Sequence, residues 1–395
     1  MFEKTFYKKL LKNSFNIPLR VKFWDGSVKE YGDGDPQITL IFNRKIPVKS
    51  VLTNSSIALG EAYMNGDIEI KGSIEDLICA AYQKKSSFLE NGKKFIKYMP
   101  KFSHSVKSSV KDIQHHYDIG NNFYELWLDK TMTYSSAYFE HPGDSLYQAQ
   151  LNKVDYILRK LDPKPGRTFL DIGCGWGTLM LRAAKKYNLK VAGITLSREQ
   201  YNYVEEQIKK DGLQDQAKVE LKDYRNIGKN EQYDYVTSIG MFEHVGKKNL
   251  GEYCQLLSQY LKPNGRALIN GVTRQQGGAT NGWIDKWIFP GGYVPGLTEM
   301  LNHIIGNGMQ IYDLESCRRQ YQWTLEAWDH NFRKHLPEIK KMFDEKFIRM
   351  WDLYLQSCAG GFKAGNIDDF QFLLFKGPSG YDLPMTRDYM YDHNK

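Results

Sequence analysis

Phe169-Leu170-Asp171-Ile172-Gly173-Cys174-Gly175-Trp176-Gly177 decides how this chain folds. Its first residues read as a buried strand, and its glycine turn opens a helix predicted from Thr178 to Tyr187. Glycine lets the backbone turn tightly and approach a ligand with no Cβ in the way. The helix N-terminus behind it offers unpaired N–H groups and a partial positive charge. Such a turn suits a nucleotide-like cofactor above an α/β sheet. A dinucleotide fingerprint is G-x-G-x-x-G with an acid about 20 residues further on. Here the glycines fall at 173, 175 and 177, so the third comes one residue early. The second strand, Val191-Ala192-Gly193-Ile194-Thr195-Leu196-Ser197, ends without Asp or Glu. Both facts argue against NAD and fit the D-x-G-x-G-x-G loop of S-adenosylmethionine (SAM) methyltransferases.

Outward from this loop the chain alternates strand and helix. Strands are expected at 168–172, 190–196, 217–221, 233–240 and 265–270, with helices at 178–187, 197–210 and 249–261. The fold class is therefore α/β, a doubly wound parallel sheet of the Rossmann-like methyltransferase kind. A helix at 151–161, stopped by Pro163 and Pro165, precedes it, and a short helix at 121–128 comes earlier still. Residues 274–310, with Gly, Pro and the aromatics Trp283, Trp287, Phe289 and Tyr293, break the rhythm and read as inserted lid helices. A strand at 311–317, helices at 322–332 and 337–357, and a strand at 369–376 complete the domain, the last strand expected to return antiparallel.

Three segments are expected: a small N-terminal α+β domain at 1–82, a basic linker at 83–112 and the catalytic domain at 113–395. In the first, Phe6, Leu10 and Leu11 mark an amphipathic helix. Val21 to Tyr31 reads as a hairpin around a two-residue Asp25-Gly26 turn. Ile38 to Phe42 reads as a strand, and 57–64 and 74–82 as helices. In the linker, Lys84, Lys85, Lys93, Lys94, Lys97, Lys101, Lys107 and Lys111 are opposed only by Glu90 and Asp112, with aromatics interleaved. A charge run is ordinarily solvated. The same stretch also fits anionic headgroups, each Lys contributing roughly 1 kcal/mol. No DNA or RNA motif accompanies it, so nucleic acid is not expected.

The formal charge of +8 over 395 residues favours an anionic partner. The five cysteines are scattered, without a C-x-x-C pair, so neither a zinc site nor a disulfide framework is expected. A reducing cytosol is the default. No apolar run is long enough to span a bilayer, so a lipid substrate would be met from the water side. His115 and His116 have no carboxylate or cysteine to complete a metal site. His116 and Asp118 are expected instead to pin the segment that closes over SAM.

A series of motifs resembles the cyclopropane-fatty-acyl-phospholipid synthase family, kin of the mycolic acid cyclopropane synthases. It runs through Leu59-Gly60-Glu61-Ala62-Tyr63-Met64-Asn65-Gly66, His116-Tyr117-Asp118-Ile119-Gly120-Asn121 and Met132-Thr133-Tyr134-Ser135-Ser136-Ala137-Tyr138-Phe139. It continues through the glycine loop, Asp223-Tyr224-Arg225 and Gly240-Met241-Phe242-Glu243-His244-Val245-Gly246. Trp287-Ile288-Phe289-Pro290, Tyr321 with Thr324 to Trp328, and Cys358-Ala359-Gly360-Gly361-Phe362 close it. The resemblance implies transfer of the SAM methyl carbon to a cis double bond of a phospholipid acyl chain, followed by ring closure. That chemistry needs a dry channel, a stabiliser for positive charge and one placed base.

For SAM, the resemblance implies Tyr134, Ser135, Gly173, Gly175, Thr195, Leu196, Gln200, Asp223, Tyr224 and Arg225. For the chemistry it implies a bound bicarbonate as general base, held by Glu243, Tyr321, Ser136, Asn270 and the backbone of Val272. Ser136 stands where the family usually has Cys, and Asn270 where it often has His. Both can still hydrogen-bond, but Asn270 cannot carry a proton. Cys358 is a candidate by residue type, although the reaction needs no covalent enzyme intermediate and a lone buried Cys is ordinarily a small hydrophobe. The implied setting is peripheral, on the cytoplasmic face of an anionic membrane containing unsaturated phospholipid. Family members are often dimers, which leaves a homodimer open. A different SAM-dependent lipid methyltransferase, giving a branched or methylene product, and a lipid-binding protein with a vestigial site are the alternatives.

Overall fold

The structure, a computed structural model, describes residues 2–84, 86–87, 89, 119–228, 230–275, 277–377, 380 and 382–391. The linker beyond Leu89, and with it His115, His116 and Asp118, lies outside the described residues. Contacts divide the described residues into two compact units. One takes those of Met1–Phe102 together with Ala279–Pro290 and Leu325–Ile367, and the other those of Ser103–Gly278, Gly291–Thr324 and Asp368–Lys395. The division is thus interleaved and does not follow the compositional boundaries at 82 and 112. Side chains 200 and more positions apart complete the first core, which a pass along the sequence does not reveal: Tyr63 Oη donates to Asp352 (2.6 Å), and Trp283 Nε1 to Met64 Sδ (3.2 Å).

The first unit holds a four-stranded sheet of β1 (Leu19–Lys22), β2 (Val28–Tyr31), β3 (Ile38–Phe42) and β4 (Ile68–Lys71), in the order β2-β1-β3-β4. Alternate residues Leu19, Val21, Ile38, Leu40 and Phe42 point into one core with Tyr7 and Leu11 of the helix Phe2–Ser14. The β1–β2 hairpin forms, but with Lys22 paired to Val28 its loop is five residues long. Asp25 explains the longer loop: its carboxylate accepts from both the amide and the hydroxyl of Ser27 (3.1 and 2.6 Å), closing a local turn within it. Lys84, read with the basic run, donates to the carbonyls of Lys12 and Phe15 (2.9 and 2.6 Å) and so caps the end of the first helix.

The second unit is built on seven strands: β5 (Thr168–Ile172), β6 (Lys190–Thr195), β7 (Ala217–Leu221), β8 (Tyr233–Ile239), β9 (Leu261–Thr273), β10 (Met309–Ser316) and β11 (Asp368–Lys376). Their order is β10-β11-β9-β8-β5-β6-β7. β5 to β9 pair in parallel, and β11 runs antiparallel to both β9 and β10. The sheet is therefore mixed, with one reversed strand, as the expectation for the last strand has it. Neighbouring residues face opposite cores: Phe169, Tyr235, Leu268 and Leu373 lie on one side, Leu170, Val236, Ile269 and Phe372 on the other. This two-sided burial is why these strands read as nearly continuous apolar runs.

The helix Leu146–Leu161 carries several polar side chains into this unit. Ser145 caps it by accepting from the Gln148 amide, and it ends at Asp162 in a left-handed conformation (φ 43°). Near its end, fully buried Lys160 bonds Glu315 (2.5 Å), sits 3.3 Å from Asp313 on β10 and lies over the Tyr156 ring (4.6 Å). Removing one member of such a set leaves buried charge uncompensated. Lys160→Met is expected to cost roughly 3 kcal/mol in urea unfolding. A loss below about 1 kcal/mol would mean that the set behaves like a surface ion pair.

Candidate active site

The turn after β5 adopts the conformation its glycines permit. Gly173, Gly175 and Gly177 all have positive φ (75°, 55° and 85°), a region costly for side chains with a Cβ. The amides of Gly173 and Cys174 both donate to the Ile194 carbonyl (3.0 Å each), tying the turn to β6. Above it lies a cavity with about 1040 Å³ of empty space, including its open mouth. Tyr134, Ser135, Gly173, Gly175, Thr195, Leu196, Gln200 and Tyr224 line it together. Its place, at the carboxyl ends of parallel strands, is where open α/β sheets bind ligands.

Thr195 donates to Gln200 Oε1 (2.7 Å) and accepts from the Ser197 amide (3.1 Å). Gln200's acceptor is thereby spent on the protein, leaving donor chemistry for a ligand. Tyr134 packs against Tyr124 and Trp127 (5.7 and 5.3 Å between ring centroids), and Trp176 packs on Tyr124 (5.4 Å). Aromatic faces of this kind attract a sulfonium or other cation. Asp171, also on the wall, accepts from Thr237 (2.8 Å), and burial pushes its carboxyl up to about 6. It is still largely ionised at neutral pH, which favours a cationic ligand. Asp223 and Arg225 are not on this wall: Asp223 takes two side-chain bonds from Arg225 (2.8 and 2.7 Å) and caps the short turn Tyr224–Asn226. They brace Tyr224, which does line the cavity.

Glu243 follows β8. The Gly240 amide still bonds the Asn270 carbonyl (2.8 Å), and the next β9 amide on that side, Val272, donates instead to Glu243 Oε1 (2.6 Å). The side chain thus extends the ladder after the strand has turned away. It can do so because Gly271 has no side chain: a Cβ there would lie 2.8 Å from both carboxylate oxygens and 2.7 Å from the Phe242 ring. Glu243 Oε2 is buried and has no hydrogen-bond partner among the described residues. Burial, helped by the charge of Asp369, pushes this carboxyl up to about 8. Its neighbours Met241 and His244 line the cavity, and burial lowers His244 to about 4, so its imidazole is neutral.

Ser136 and Asn270 meet on a residue the sequence reading passed over. Ser136 Oγ donates to Asp369 Oδ2 (2.7 Å), and Asn270 Nδ2 donates to Asp369 Oδ1 and to the Phe370 carbonyl (3.0 Å each). All three side chains are buried. Buried Lys153 donates to Ser135 Oγ (2.8 Å), and burial lowers its ammonium to about 8 although Asp369, Asp129 and Asp171 oppose this. Asp369, raised by burial to about 6, is opposite Val272 in the β9–β11 register. The Ser136 and Asn270 side chains and the Val272 amide, expected to hold a bicarbonate, are therefore committed, and the carboxylates of Asp369 and Glu243 stand nearby. The residues present do not fit that anion.

Tyr321 lies on the helix Arg318–Lys334, between two residues that clamp the Ser136 segment. Gln320 Oε1 accepts from the Phe139 amide (2.7 Å) and Thr324 Oγ1 from the Ala137 amide (2.9 Å). Cys358 belongs to the other unit, on the helix Glu345–Ala364, and burial pushes its thiol up to about 12, which removes nucleophilic character. Among the described residues no cluster of His, Cys, Asp or Glu is placed to hold a metal ion. Lys153, Asp369 and Gly271 were the omissions. A lysine on the apolar face of a helix and an acid opening an apolar strand were the available signs for the first two.

The family described as "Mycolic acid cyclopropane synthetase" matches residues 104–372, and a domain of unknown function matches residues 6–93. A "Probable fatty acid methyltransferase" of Pseudomonas putida is 36% identical over 386 residues, 96% of this chain and 97% of that protein. The "Cyclopropane-fatty-acyl-phospholipid synthase" of Escherichia coli is 33% identical over 345 residues, 83% of this chain and 85% of that one. The crystal structure of mycolic acid cyclopropane synthase CmaA1 complexed with SAH and CTAB matches with a TM-score of 0.64 at 32% identity, covering 68% of this chain and 98% of that one.

The wall and the base make separable predictions. Gln200→Ala, which removes a cavity donor, is expected to weaken SAH binding in calorimetry about tenfold. Gly271→Ala, which crowds the Glu243 carboxylate and the Phe242 ring, neither of them on the cavity wall, is expected to leave that affinity within a few-fold. Unchanged binding in Gln200→Ala would move the ligand elsewhere.

Proposed function

The chain belongs to the mycolic acid cyclopropane synthetase family, and from that premise we propose that it adds a methylene bridge across a cis double bond of phospholipid acyl chains. Members of this family are SAM-dependent lipid-modifying methyltransferases, and the chain has their fold. The supporting observation is the Glu243 carboxylate, fixed by one oxygen and, among the described residues, unpartnered at the other, flanked by two residues of the SAM-type cavity.

When bound, SAM would supply a methyl carbon as an electrophile, the S–CH3 electron pair staying on sulfur as neutral S-adenosylhomocysteine leaves. The glycine turn and the Gln200 donor would hold the nucleoside, and the aromatic cluster and Asp171 the sulfonium. An alkene is a weak neutral nucleophile, so no base is needed for its attack. The resulting carbocation on the acyl chain is stabilised by the negative charge of Glu243 and Asp369, and burial excludes the water that would capture it. Glu243 Oε2 then takes a proton from the new methyl group, and the freed C–H electron pair closes the ring. Glu243 leaves as the neutral acid and returns its proton to solvent.

The acyl chains are proposed to come from an anionic membrane, approached peripherally from its cytoplasmic face. The net charge of +8 supports this, and no described helix is long and apolar enough to cross a bilayer. A second reading, C-methylation to a branched or methylene product, is favoured by the name of the Pseudomonas relative. Incubation with SAM and unsaturated phospholipid vesicles, followed by NMR of the acyl chains, separates them. Upfield ring protons support the proposal, and vinylidene or methyl-branch signals alone contradict it.

The base assignment has a pH signature. With its carboxyl near 8, Glu243 is mostly protonated at pH 6, so its active form accumulates as pH rises. Turnover should climb with pH and level off above about 8. Glu243→Gln should lower it roughly 10²–10⁴-fold and remove the climb. An unchanged profile in that variant would assign the proton to another group.

A further inference from the structure

We propose that Asp369 takes the place of the bicarbonate implied by the family resemblance, so that this chain works without that anion. The inference rests on the ring-forming reading above, but its binding arm is independent of it. Bicarbonate presents a planar O–C–O⁻ edge that accepts hydrogen bonds. The Asp369 carboxylate presents the same edge, covalently attached, and its two oxygens already take the donors at the two positions where this chain departs from the family. Ser136 has one hydroxyl hydrogen, and it goes to Oδ2 (2.7 Å). Asn270 has two amide hydrogens, which go to Oδ1 and to the Phe370 carbonyl (3.0 Å each).

The two departures are coherent with a resident carboxylate at 369. A side-chain hydroxyl and a carboxamide are neutral donors that never ionise at working pH, so they can hold a permanent carboxylate without competing for its proton. A second anion would sit against Asp369 and Glu243 in a buried region with those donors occupied, and like charges in a low-dielectric site repel strongly. Lys153 is the buried cation that offsets the resident charge.

Asp369 also steadies the base. It is the cross-strand partner of Val272, whose amide holds Glu243, and its own carbonyl accepts from the Cys317 amide (2.6 Å). It is therefore a positioning residue. Both of its oxygens are occupied, and the proton from the new methyl group goes to Glu243 Oε2, the carboxylate oxygen left open.

The test compares turnover in CO2-free buffer with turnover after bicarbonate is added, for the full-length protein and for Asp369→Ala. It also follows the linewidth of ¹³C-labelled bicarbonate with each protein. The wild type is expected to turn over equally in both buffers and to leave the label sharp. Asp369→Ala is expected to lose at least tenfold in turnover and to regain several-fold with bicarbonate or formate, because Ser136 and Asn270 are then free to bind it. Wild-type dependence on bicarbonate, or broadening of the label by the wild type, would overturn the proposal. So would an Asp369→Ala loss that no small carboxylate restores, since that describes a purely structural residue. If the wild type makes no cyclopropane, the ring-forming reading fails while the linewidth still decides whether the anion binds.

Discussion

A carboxylate bonded to the last exposed amide of a β-ladder is the constraint on which this site depends. β8 turns away after Ile239, and the Val272 amide of β9 would be left without that acceptor. Glu243 supplies the missing acceptor from its side chain. An unpaired buried amide costs about 1–3 kcal/mol, so structure and chemistry favour the same rotamer. One oxygen is fixed, the other is aimed elsewhere, and glycine at 271 is what allows the approach. Catalytic geometry of this kind is inherited from sheet geometry, which is rigid.

Charge is distributed around that oxygen in an orderly way. Asp171 lies on the cavity wall, Asp369 lies opposite Val272, and Lys153 is the buried cation among them. Lys222, also on the wall, is paired with Glu220, so Asp171 and Asp369 outweigh Lys153 where the proposed chemistry places a sulfonium and a carbocation on the acyl chain. Burial raises all three carboxyls, which shows that the free protein does not stabilise their anions fully. In the proposed mechanism a cationic ligand would supply the missing compensation and so couple binding to activation of the base, since a nearby positive charge favours the ionised form of Glu243.

Much of this was legible in the residues and some of it was not. The glycine loop was, because a turn needing three left-handed positions has few sequence solutions. The strands of the second unit were found within a few residues because both of their faces are buried. The hairpin of the first unit was found with the wrong loop length, because the Asp25 side chain competes with the backbone for the turn. Asp369 is only half legible: an acid opening an apolar strand marks the place, but its partners lie 233 and 99 positions away, and nothing local distinguishes it from Asp368. The interleaving of the two units has the same origin, since residues 279–290 and 325–367 join the first core through contacts that no window can contain.

The central claim is that a carboxylate removes a proton from the transferred carbon. SAM carrying three deuteriums on its methyl group, given to the protein with unsaturated phospholipid, tests this most directly by the mass of the acyl product. The account predicts that two of the three deuteriums remain in every product molecule. Retention of all three would mean that the transferred methyl is never deprotonated, and the role assigned to Glu243 would be wrong.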